Sequence, residues 1–303
     1  MYLHSNISLF KDVIAEVNIR TGIAQSVLEK DYYLTMILKL LREKNDDIVF
    51  KGGTSLSKCY HLIDRFSEDI DITFGEHIGE ARRKKLKYNV IKPVSDELEL
   101  PIGNWDSIES DRNYNYYLFS YDSVVEDEVM GITPSVRLET ALVSYSFPVE
   151  EKYVKSIIGE SLTDFAQDMV NEYGLSPFMM KVQDVKRTFI DKIFALCDYY
   201  LQGKSKRYSR HLYDIYKIYP SIVINDDFMR LLEQVRNHRA TLSICPSAQI
   251  DVDIKSIIKE FIDNDFYKRD YENVTENLIS DNVTYEQTID TMEEIAEKLF
   301  RRK

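Results

Sequence analysis

The sequence has few of the residues that mark disordered, disulfide-bonded or membrane-spanning proteins. Its 303 residues include 10 glycines and 7 prolines, too few for a linker-rich or disordered chain. Three isolated cysteines, Cys59, Cys197 and Cys245, exclude a disulfide framework and a Cys-x-x-Cys zinc site, and predict buried free thiols. No apolar run approaches the roughly 18 residues of a membrane span. The N-terminus lacks the features of a signal peptide, so we expect a cytoplasmic protein.

Acidic residues outnumber basic ones: the chain has 51 Asp and Glu against 39 Lys and Arg, which gives a formal net charge of -12. This balance excludes a general nucleic-acid coat protein, since phosphate binding needs local positive charge. Two basic islands are exceptions, at residues 81–87 ("ARRKKLK") and 204–210 ("KSKRYSR"). They are the best places for a polyanion to bind, although such islands are commonly only solvated faces.

Hydrophobic periodicity organises the first part of the chain. Apolar residues at helical spacing predict helices from Ser8 to Val17 and from Ala24 to Glu43. "DIVF" (47–50) reads as a strand leading into a diglycine, and residues 54–63 read as a helix with Thr54 as its N-cap. "EDIDITF" (68–74) alternates strictly, which predicts another strand.

The later segments predict the fold class and the domain boundary. Residues 80–100 read as a helix interrupted at Pro93, and residues 113–147 are rich in strand-forming residues. From Ser161 onward nearly every segment has helical periodicity. We therefore predict an α+β (mixed α/β) protein, with a mixed sheet flanked by helices in an N-terminal domain (1–155) and a helical C-terminal domain (156–303).

Two acids on the predicted strand 68–74 are candidate metal ligands. Alternate residues of a strand point to the same face, so Asp69 and Asp71 share one face while Ile70 and Ile72 point to the core. Two close carboxylates repel each other unless a cation lies between them. Mg²⁺ prefers one or two carboxylates together with phosphate oxygens. Glu139, on the strand predicted in "VRLETAL", is a candidate third ligand, or else an exposed strand residue.

The diglycine Gly52-Gly53 is a candidate phosphate-binding turn. Glycine lets backbone amides approach a phosphate closely. If a helix begins at Thr54, its free N–H groups favour an anion, and Thr54 or Ser55 could add a hydroxyl contact. A diglycine or an Asp-x-Asp is a weak signal alone, but their order across one strand–helix–strand unit strengthens both.

These motifs resemble those of a known family. The string "FKGGTSLSKCYHLIDRFSEDIDI" (50–72) resembles the AbiEii-type nucleotidyltransferase toxins of type IV toxin–antitoxin and abortive-infection systems, within the polymerase-β-like superfamily. The upstream "LEKDYYLTMIL" (28–38) is also similar to this family. The segments "RTFIDKIFAL" (187–196) and "RHLYDIY" (210–216) match its later lysine and aspartate motifs more loosely.

The resemblance implies roles for several further residues. Asp69 and Asp71 would bind metal, while Gly53 and Ser67 would contact phosphate. Lys192 would hold the triphosphate, and Asp214 would lie opposite as an essential acid. Two residues stay open: Arg65 meets a phosphate or pairs with Asp64 or Glu68, and His211 orients a substrate or Asp214, or only packs. Asp191 stands where the family more often has glutamate.

The resemblance also implies an activity and its partners. Family members have two lobes with a cleft between them and use Mg²⁺ or Mn²⁺ to transfer a nucleoside monophosphate from an NTP to an acceptor. The expected acceptor is the 3′ end of tRNA, in phage defence, with a cognate antitoxin that need not touch the toxin. Two alternatives stay open: transfer to a protein hydroxyl or small molecule, and a non-catalytic nucleotide-binding module. Either Asp214 or Glu139, or the metal alone, would activate the acceptor hydroxyl.

Overall fold

A computed structural model of the chain describes residues 1–65, 67–110, 112–126 and 132–300. It divides into two compact units. Unit 1 contains residues 1–59 and 68–182, and unit 2 contains residues 60–67 and 183–303. Part of the predicted strand-rich segment, residues 127–131, lies outside the described residues.

Unit 1 combines one β-sheet with helices. Its helices are α1 (Ile7–Thr21), α2 (Gln25–Lys44), α3 (Gly52–Lys58), α4 (Glu80–Lys85), α5 (Lys92–Glu97), α6 (Ile157–Thr163) and α7 (Gln167–Glu172). Its strands are β1 (Ile48–Lys51), β2 (Asp69–Phe74), β3 (Tyr114–Ser120), β4 (Ser135–Ala141), β5 (Val149–Val154) and β6 (Phe178–Gln183).

The sheet is mixed, with the strand order β3-β4-β2-β1-β6-β5. The two central strands, β1 and β2, are antiparallel, whereas β1 pairs with β6 and β2 pairs with β4 in parallel. Strand β3 pairs antiparallel with β4. Helix α2 packs against β2 and β4. Burial of Phe50, Ile70, Ile72 and Leu138 on these strands forms the core of the unit.

Unit 2 is helical. Its α-helices are α8 (Val185–Leu201), α9 (Arg210–Ile218), α10 (Asp226–Ala240), α11 (Ile254–Asp263), the single turn α12 (Lys268–Asp270) and α13 (Tyr285–Leu299). Helix α8 packs against α9, α10 and α11, while α13 packs against α9 and α11. The Asp184 side chain caps α8 by accepting hydrogen bonds from the N–H groups of Lys186 and Arg187.

The elements with the strongest periodicity are where the sequence predicts them. Helices α1 and α2 and strands β1 and β2 are confirmed within a few residues. Helix α1 is capped by the Asn6 side chain and ends at Gly22, whose φ is 71°. The chain is a mixed α/β protein with a helical second unit, as its sequence predicts.

Three local predictions are wrong. Helix α3 begins at Gly52 and ends at Lys58, so Thr54 is not its N-cap and residues 60–63 are not helical. Pro93 does not break the helix: α4, a π-helical turn (Leu86–Ile91) and α5 follow one another without interruption, and the wider π turn lies immediately before the residue that lacks an N–H. Strand β6 interrupts the predicted helical region.

The sheet continues past residue 155, where the sequence analysis places the domain boundary. Strand β6 pairs with β1, with Val49 opposite Lys181 and Phe50 opposite Val182. Six residues between a loop and a helix carry little periodicity of their own, so only pairing with a distant strand identifies them as a strand. The units therefore divide at Val182.

None of the described helices has the length and hydrophobicity needed to cross a bilayer. The three cysteines are free, with Cys197 and Cys245 buried and Cys59 half-buried.

We predict that Ile72→Ala lowers the free energy of unfolding by about 2–5 kcal/mol, because it removes buried methyl groups and leaves a cavity. Ile72 is 0% exposed in the centre of the sheet. Ile19→Ala is the control, since Ile19 is 78% exposed and its truncation should cost less than about 0.5 kcal/mol. Chemical denaturation measures both. Equal losses in the two variants would contradict this assignment of the core.

Candidate functional site

Strand β2 presents Asp69 and Asp71 on one face. Both are half-buried, whereas Ile70 and Ile72, on the other face, are fully buried. The alternation predicted from "DIDI" is therefore what the strand shows. Because β2 is a central strand, its backbone is held on both edges by β1 and β4. The two carboxylates are consequently fixed on a rigid element rather than a loop.

The carboxylate of Asp71 lies against the backbone of Gly52. Asp71 is opposite Lys51 in the β1–β2 pair, so its side chain reaches the residue at which β1 ends and α3 begins. Gly52 has a φ of 79°, and a Cβ atom there would lie 2.8 Å from Asp71 Cγ and still nearer to Oδ2. A side chain here would force the Asp71 carboxylate to move. Glycine is favoured at this position both by its backbone conformation and by the space it leaves to the carboxylate.

The residues after Gly52 form the first turn of α3. Thr54 is buried, and its hydroxyl donates to the backbone oxygen of Asp69. Ser55 is also buried, and its Oγ donates to the carbonyl oxygen of Gly52 at 2.9 Å. Both hydroxyls therefore tie the turn to itself and to β2, which fixes the backbone of Gly52 and Gly53 relative to Asp69.

The third predicted acid lies beside the first two. In the parallel β2–β4 pair, Asp71 is the partner of Glu139 and Asp69 is the partner of Arg137. Arg137 Nε lies 2.7 Å from Glu139 Oε1, and Arg137 Nη2 donates to the hydroxyl of Tyr114 at 3.1 Å. The sequence predicts Glu139 on a strand, but its ion pair with Arg137, which partly neutralises it, is seen only in the structure.

The side chains on this face are of the kind that bind a hard divalent cation. Asp69 and Asp71 offer only carboxylate oxygens, which Mg²⁺ prefers, and one or two carboxylates plus phosphate oxygens are its usual ligands. Among the described residues no three His, Cys, Asp or Glu side chains approach closely enough to hold a metal by themselves. A cation at this face would therefore depend on the aspartate pair and on oxygens of its substrate.

A second group of predicted residues comes together within unit 2. The carboxylate of Asp214, 0% exposed, accepts two hydrogen bonds from Arg65: Nε to Oδ1 at 2.7 Å and Nη2 to Oδ2 at 2.8 Å. Lys192 Nζ donates to the same Oδ2 at 2.7 Å. We call Arg65, Lys192 and Asp214 the buried ion cluster. Lys192 is thus a buried partner of Asp214 and not a solvated surface lysine.

Burial and neighbouring charges shift the pKa values of both Asp214 and Lys192. Burial raises the pKa of Asp214, but the two adjacent cations outweigh it, so the pKa lies well below its usual range and the carboxylate stays ionised. Burial lowers the pKa of Lys192, and the nearby Arg65 and Arg210 add to this effect, while Asp214 opposes it. An ionised Asp214 with so low a pKa is a poor acceptor of a substrate proton.

His211 belongs to the same neighbourhood. Its Nδ1 lies 3.3 Å from Lys192 Nζ. Burial, followed by the charge of Lys192, lowers the pKa of His211 well below its ordinary value, so the ring is neutral at pH 7. A neutral Nδ1 accepts a hydrogen bond from the ammonium group. His211 therefore contacts Lys192, a partner that the sequence does not predict, and it also packs nearly parallel to Tyr199.

Of the two alternatives left open for Arg65, a phosphate contact or a local ion pair, the structure shows no ion pair with Asp64 or Glu68 among the described residues. Asp64 pairs instead with Lys217 at 2.6 Å, within unit 2, and Glu68 pairs with Lys30, within unit 1. Ser67 is half-buried and lies outside helices and strands. The Arg65–Asp214 contact joins residues 149 positions apart, so no local pattern in the sequence could reveal it.

Comparison with known protein families agrees with the motifs. Residues 38–299 match the model of a protein family described as nucleotidyl transferase AbiEii toxin, type IV TA system. No curated protein matches the chain significantly. Among solved structures, the chain is similar to MenT4, a nucleotidyltransferase toxin from Mycobacterium tuberculosis H37Rv. That similarity covers 95% of this chain and 90% of that chain, with 15% identity and a TM-score of 0.47.

We predict that Gly52→Ala destabilises the protein more than Gly22→Ala does. Both glycines have positive φ, 79° and 71°, so each substitution costs about 1–2 kcal/mol in backbone strain. A Cβ at Gly22 meets nothing within 4 Å, whereas one at Gly52 strikes Asp71. Denaturant titration should therefore show a larger loss for Gly52→Ala. Adding Asp71→Ala should recover part of the excess, and equal losses for the two glycine variants would contradict the close approach.

We predict that Asp214→Asn lowers stability by about 3–5 kcal/mol at pH 7, because it leaves buried cations without their counter-charge. The folded-state pKa of Asp214 is depressed, so its contribution is fully present above the unfolded pKa near 4. It is lost progressively as the pH falls below that value. The gap between wild type and variant should therefore narrow by about 1 kcal/mol from pH 5 to pH 3.

Unfolding titrations at several pH values measure this gap. Asp251→Asn is the control, because Asp251 is an exposed acid of the same unit and its loss should leave the stability profile unchanged. A gap that stays constant from pH 5 to pH 3 would show that Asp214 titrates normally.

Proposed function

The chain belongs to the AbiEii family of nucleotidyltransferase toxins of type IV toxin–antitoxin systems, and from this premise we propose that it transfers a nucleoside monophosphate from an NTP to the 3′ end of tRNA. The observation that carries the proposal is the carboxylate pair of β2, with Asp71 fitted against the backbone of Gly52. The system would act in phage defence. Its antitoxin would counteract the modification without having to touch this protein.

Asp69 and Asp71 are the proposed metal ligands, with Glu139 next to them on β4. When bound, Mg²⁺ or Mn²⁺ supplies charge neutralisation for the phosphate oxygens and orients the acceptor hydroxyl. The two aspartates fit this role because they are fixed on a central strand and supply oxygen ligands only. The carboxylate of Glu139 also pairs with Arg137.

The protein's backbone at Gly52 and Gly53 is the proposed phosphate contact in unit 1. Gly53 has no side chain to keep a phosphate from the N–H groups of the turn, whereas at Gly52 the corresponding space goes to the Asp71 carboxylate. The hydroxyls of Thr54 and Ser55 donate to backbone oxygens, and these bonds hold the turn in place. We therefore assign Thr54 a positioning role beside any contact it makes with phosphate.

The buried ion cluster of unit 2 supports the proposed role of Lys192. It contains two cations, Arg65 and Lys192, against the single carboxylate of Asp214, and Arg210 lies close enough to perturb Lys192. The surplus positive charge favours the phosphates of an NTP and the charge that develops on departing pyrophosphate. In the chain only Phe66, Ser67 and Glu68 separate Arg65 from Asp69.

The reaction forms a bond between the acceptor hydroxyl oxygen and the α-phosphorus and breaks the bond to the bridging oxygen, releasing pyrophosphate. The hydroxyl proton must be accepted elsewhere. Asp214 does not suit this step, because two cations hold its pKa well below the usual range. We propose instead that Asp214 positions Lys192 and Arg65. In this proposal the proton passes from the acceptor hydroxyl to Glu139 or to solvent.

Nucleotide transfer to a second class of acceptor would use the same chemistry. The formal charge of -12 disfavours broad binding of RNA and favours a protein hydroxyl or a small molecule. A matrix of each labelled NTP against total tRNA, a protein extract and small-molecule alcohols, with Mg²⁺ present, decides between them. Label on tRNA supports the proposal, and label on another acceptor supports the alternative. Tight NTP binding without any product would indicate a non-catalytic module.

We predict that Asp69→Asn and Asp71→Asn each lower kcat/KM for transfer by about 100-fold or more, because loss of a metal ligand removes several kcal/mol of charge stabilisation. The readout is label transfer to the acceptor found in the matrix. Asp106→Asn, at an exposed acid of the same unit, is the control and should keep wild-type activity. Independently of activity, Mg²⁺ with NTP should raise the melting temperature of wild type but not of Asp71→Asn. A folded Asp71→Asn protein with full activity would exclude the assignment.

A further inference from the structure

The two basic islands differ in what their charges contact. In residues 81–87 of unit 1, Arg82 pairs with Glu76, and Lys84 pairs with Glu80 at 2.7 Å. Lys87 is buried, where it donates to a backbone oxygen. Much of the positive charge of this island is therefore balanced or enclosed within unit 1 itself.

Residues 204–210 of unit 2, which we call the basic loop, carry positive charge that ion pairs within the described part of the chain do not balance. Lys204, Lys206 and Arg207 are exposed, and Lys204 Nζ donates to the neutral Gln202 side chain at 2.8 Å. Within the described part of the chain, no acid forms an ion pair with Lys206, Arg207 or Arg210. In a protein of net charge -12, this loop is a local site of uncompensated positive charge.

Hydrogen bonds to a buried side chain fix the conformation of the basic loop. Arg207 has a φ of 70°, a conformation that non-glycine residues rarely adopt. Asp270, which is buried, holds it there: its carboxylate accepts from Arg207 N at 2.7 Å, Ser209 N at 3.1 Å and Ser209 Oγ at 2.7 Å. Strained residues of this kind persist where the surroundings enforce them, and they cluster at functional sites.

Aromatic rings adjoin these charges. Tyr208 stacks on Tyr199 with ring centroids 3.6 Å apart and planes at 19°, and His211 lies nearly parallel to Tyr199 at 6.0 Å. Both tyrosines are half-buried, so part of the stack is accessible. Lysine and arginine beside stacked rings are the combination by which proteins bind single-stranded nucleic acid, through phosphates and base faces together. An acidic peptide would use the charges but not the rings.

We propose that the basic loop is the docking surface for a single-stranded segment of nucleic acid, with Lys204, Lys206 and Arg207 at its phosphates and Tyr208 against a base. This inference rests on the proposed function, in that the docked strand is the acceptor. His211, the residue after the loop, lies 3.3 Å from Lys192 Nζ, so the loop ends beside the buried ion cluster.

Binding is measured by fluorescence anisotropy with a labelled 12-nucleotide single-stranded RNA, without NTP. The variant is Lys204→Gln/Lys206→Gln/Arg207→Gln, and its matched control is Arg82→Gln/Lys84→Gln/Lys85→Gln, which removes the same charge. We expect the loop variant to weaken binding about 100-fold at 0.1 M salt and to reduce the slope of log K against log salt by about 2. The control should bind within about threefold of wild type.

Single substitutions at Tyr208 test the stacking. Tyr208→Phe should bind as wild type, and Tyr208→Leu should weaken binding about fivefold or more. A single-stranded DNA of the same sequence separates recognition of ribose from recognition of phosphate and base, and polyglutamate tests charge alone. Equal binding by the loop variant and wild type, an equal loss in the control, or polyglutamate binding as tight as RNA would overturn the proposal. Loss of RNA binding in the loop variant, with no nucleotide transfer by wild type, would support the docking surface while rejecting the proposed function.

Discussion

The close approach of the Asp71 carboxylate to the backbone of Gly52 is the constraint on which the acidic face depends. Strands β1 and β2 are the central pair of the sheet, and their register sets Asp71 opposite Lys51. The residue that follows must turn into α3 with a positive φ and leave room for a carboxylate. Glycine meets both demands. A single position thus connects the strand pairing, the start of α3 and the placement of an acid.

The same register extends the acidic face by one strand. Since β2 also pairs with β4, fixing Asp71 against Gly52 fixes Glu139 beside Asp71 and Arg137 beside Asp69. Three carboxylates and one guanidinium then share a face. Arg137, paired with Glu139 and beside Asp69, reduces the repulsion among these acids. The acidic face thus carries a cation of its own.

Sequence patterns within a short segment predict the features that depend on that segment alone. Helical periodicity identifies α1 and α2, and strict alternation puts Asp69 and Asp71 on one face, because both follow from the geometry of a single element. Strand β6 and the neighbours of Asp69 depend on strand pairing between distant segments. The Arg65–Asp214 contact depends on how residues 60–67 join unit 2. Motif resemblance selects Lys192 and Asp214, but their mutual hydrogen bond and the low pKa of Asp214 arise only in the folded chain.

The net charge of a region of this protein depends on which of its side chains form ion pairs in the folded chain. By sequence the islands at 81–87 and 204–210 are alike, and Arg65, Lys192 and Asp214 are three ordinary ionisable residues. Folding pairs Arg82 and Lys84 with acids but leaves Lys206 and Arg207 unpaired among the described residues. It also buries one carboxylate between two cations, where removal from water is offset by bidentate and monodentate hydrogen bonds and a surplus of positive charge remains. A strongly acidic protein can in this way keep confined regions of positive potential, which is what a site for phosphate groups requires.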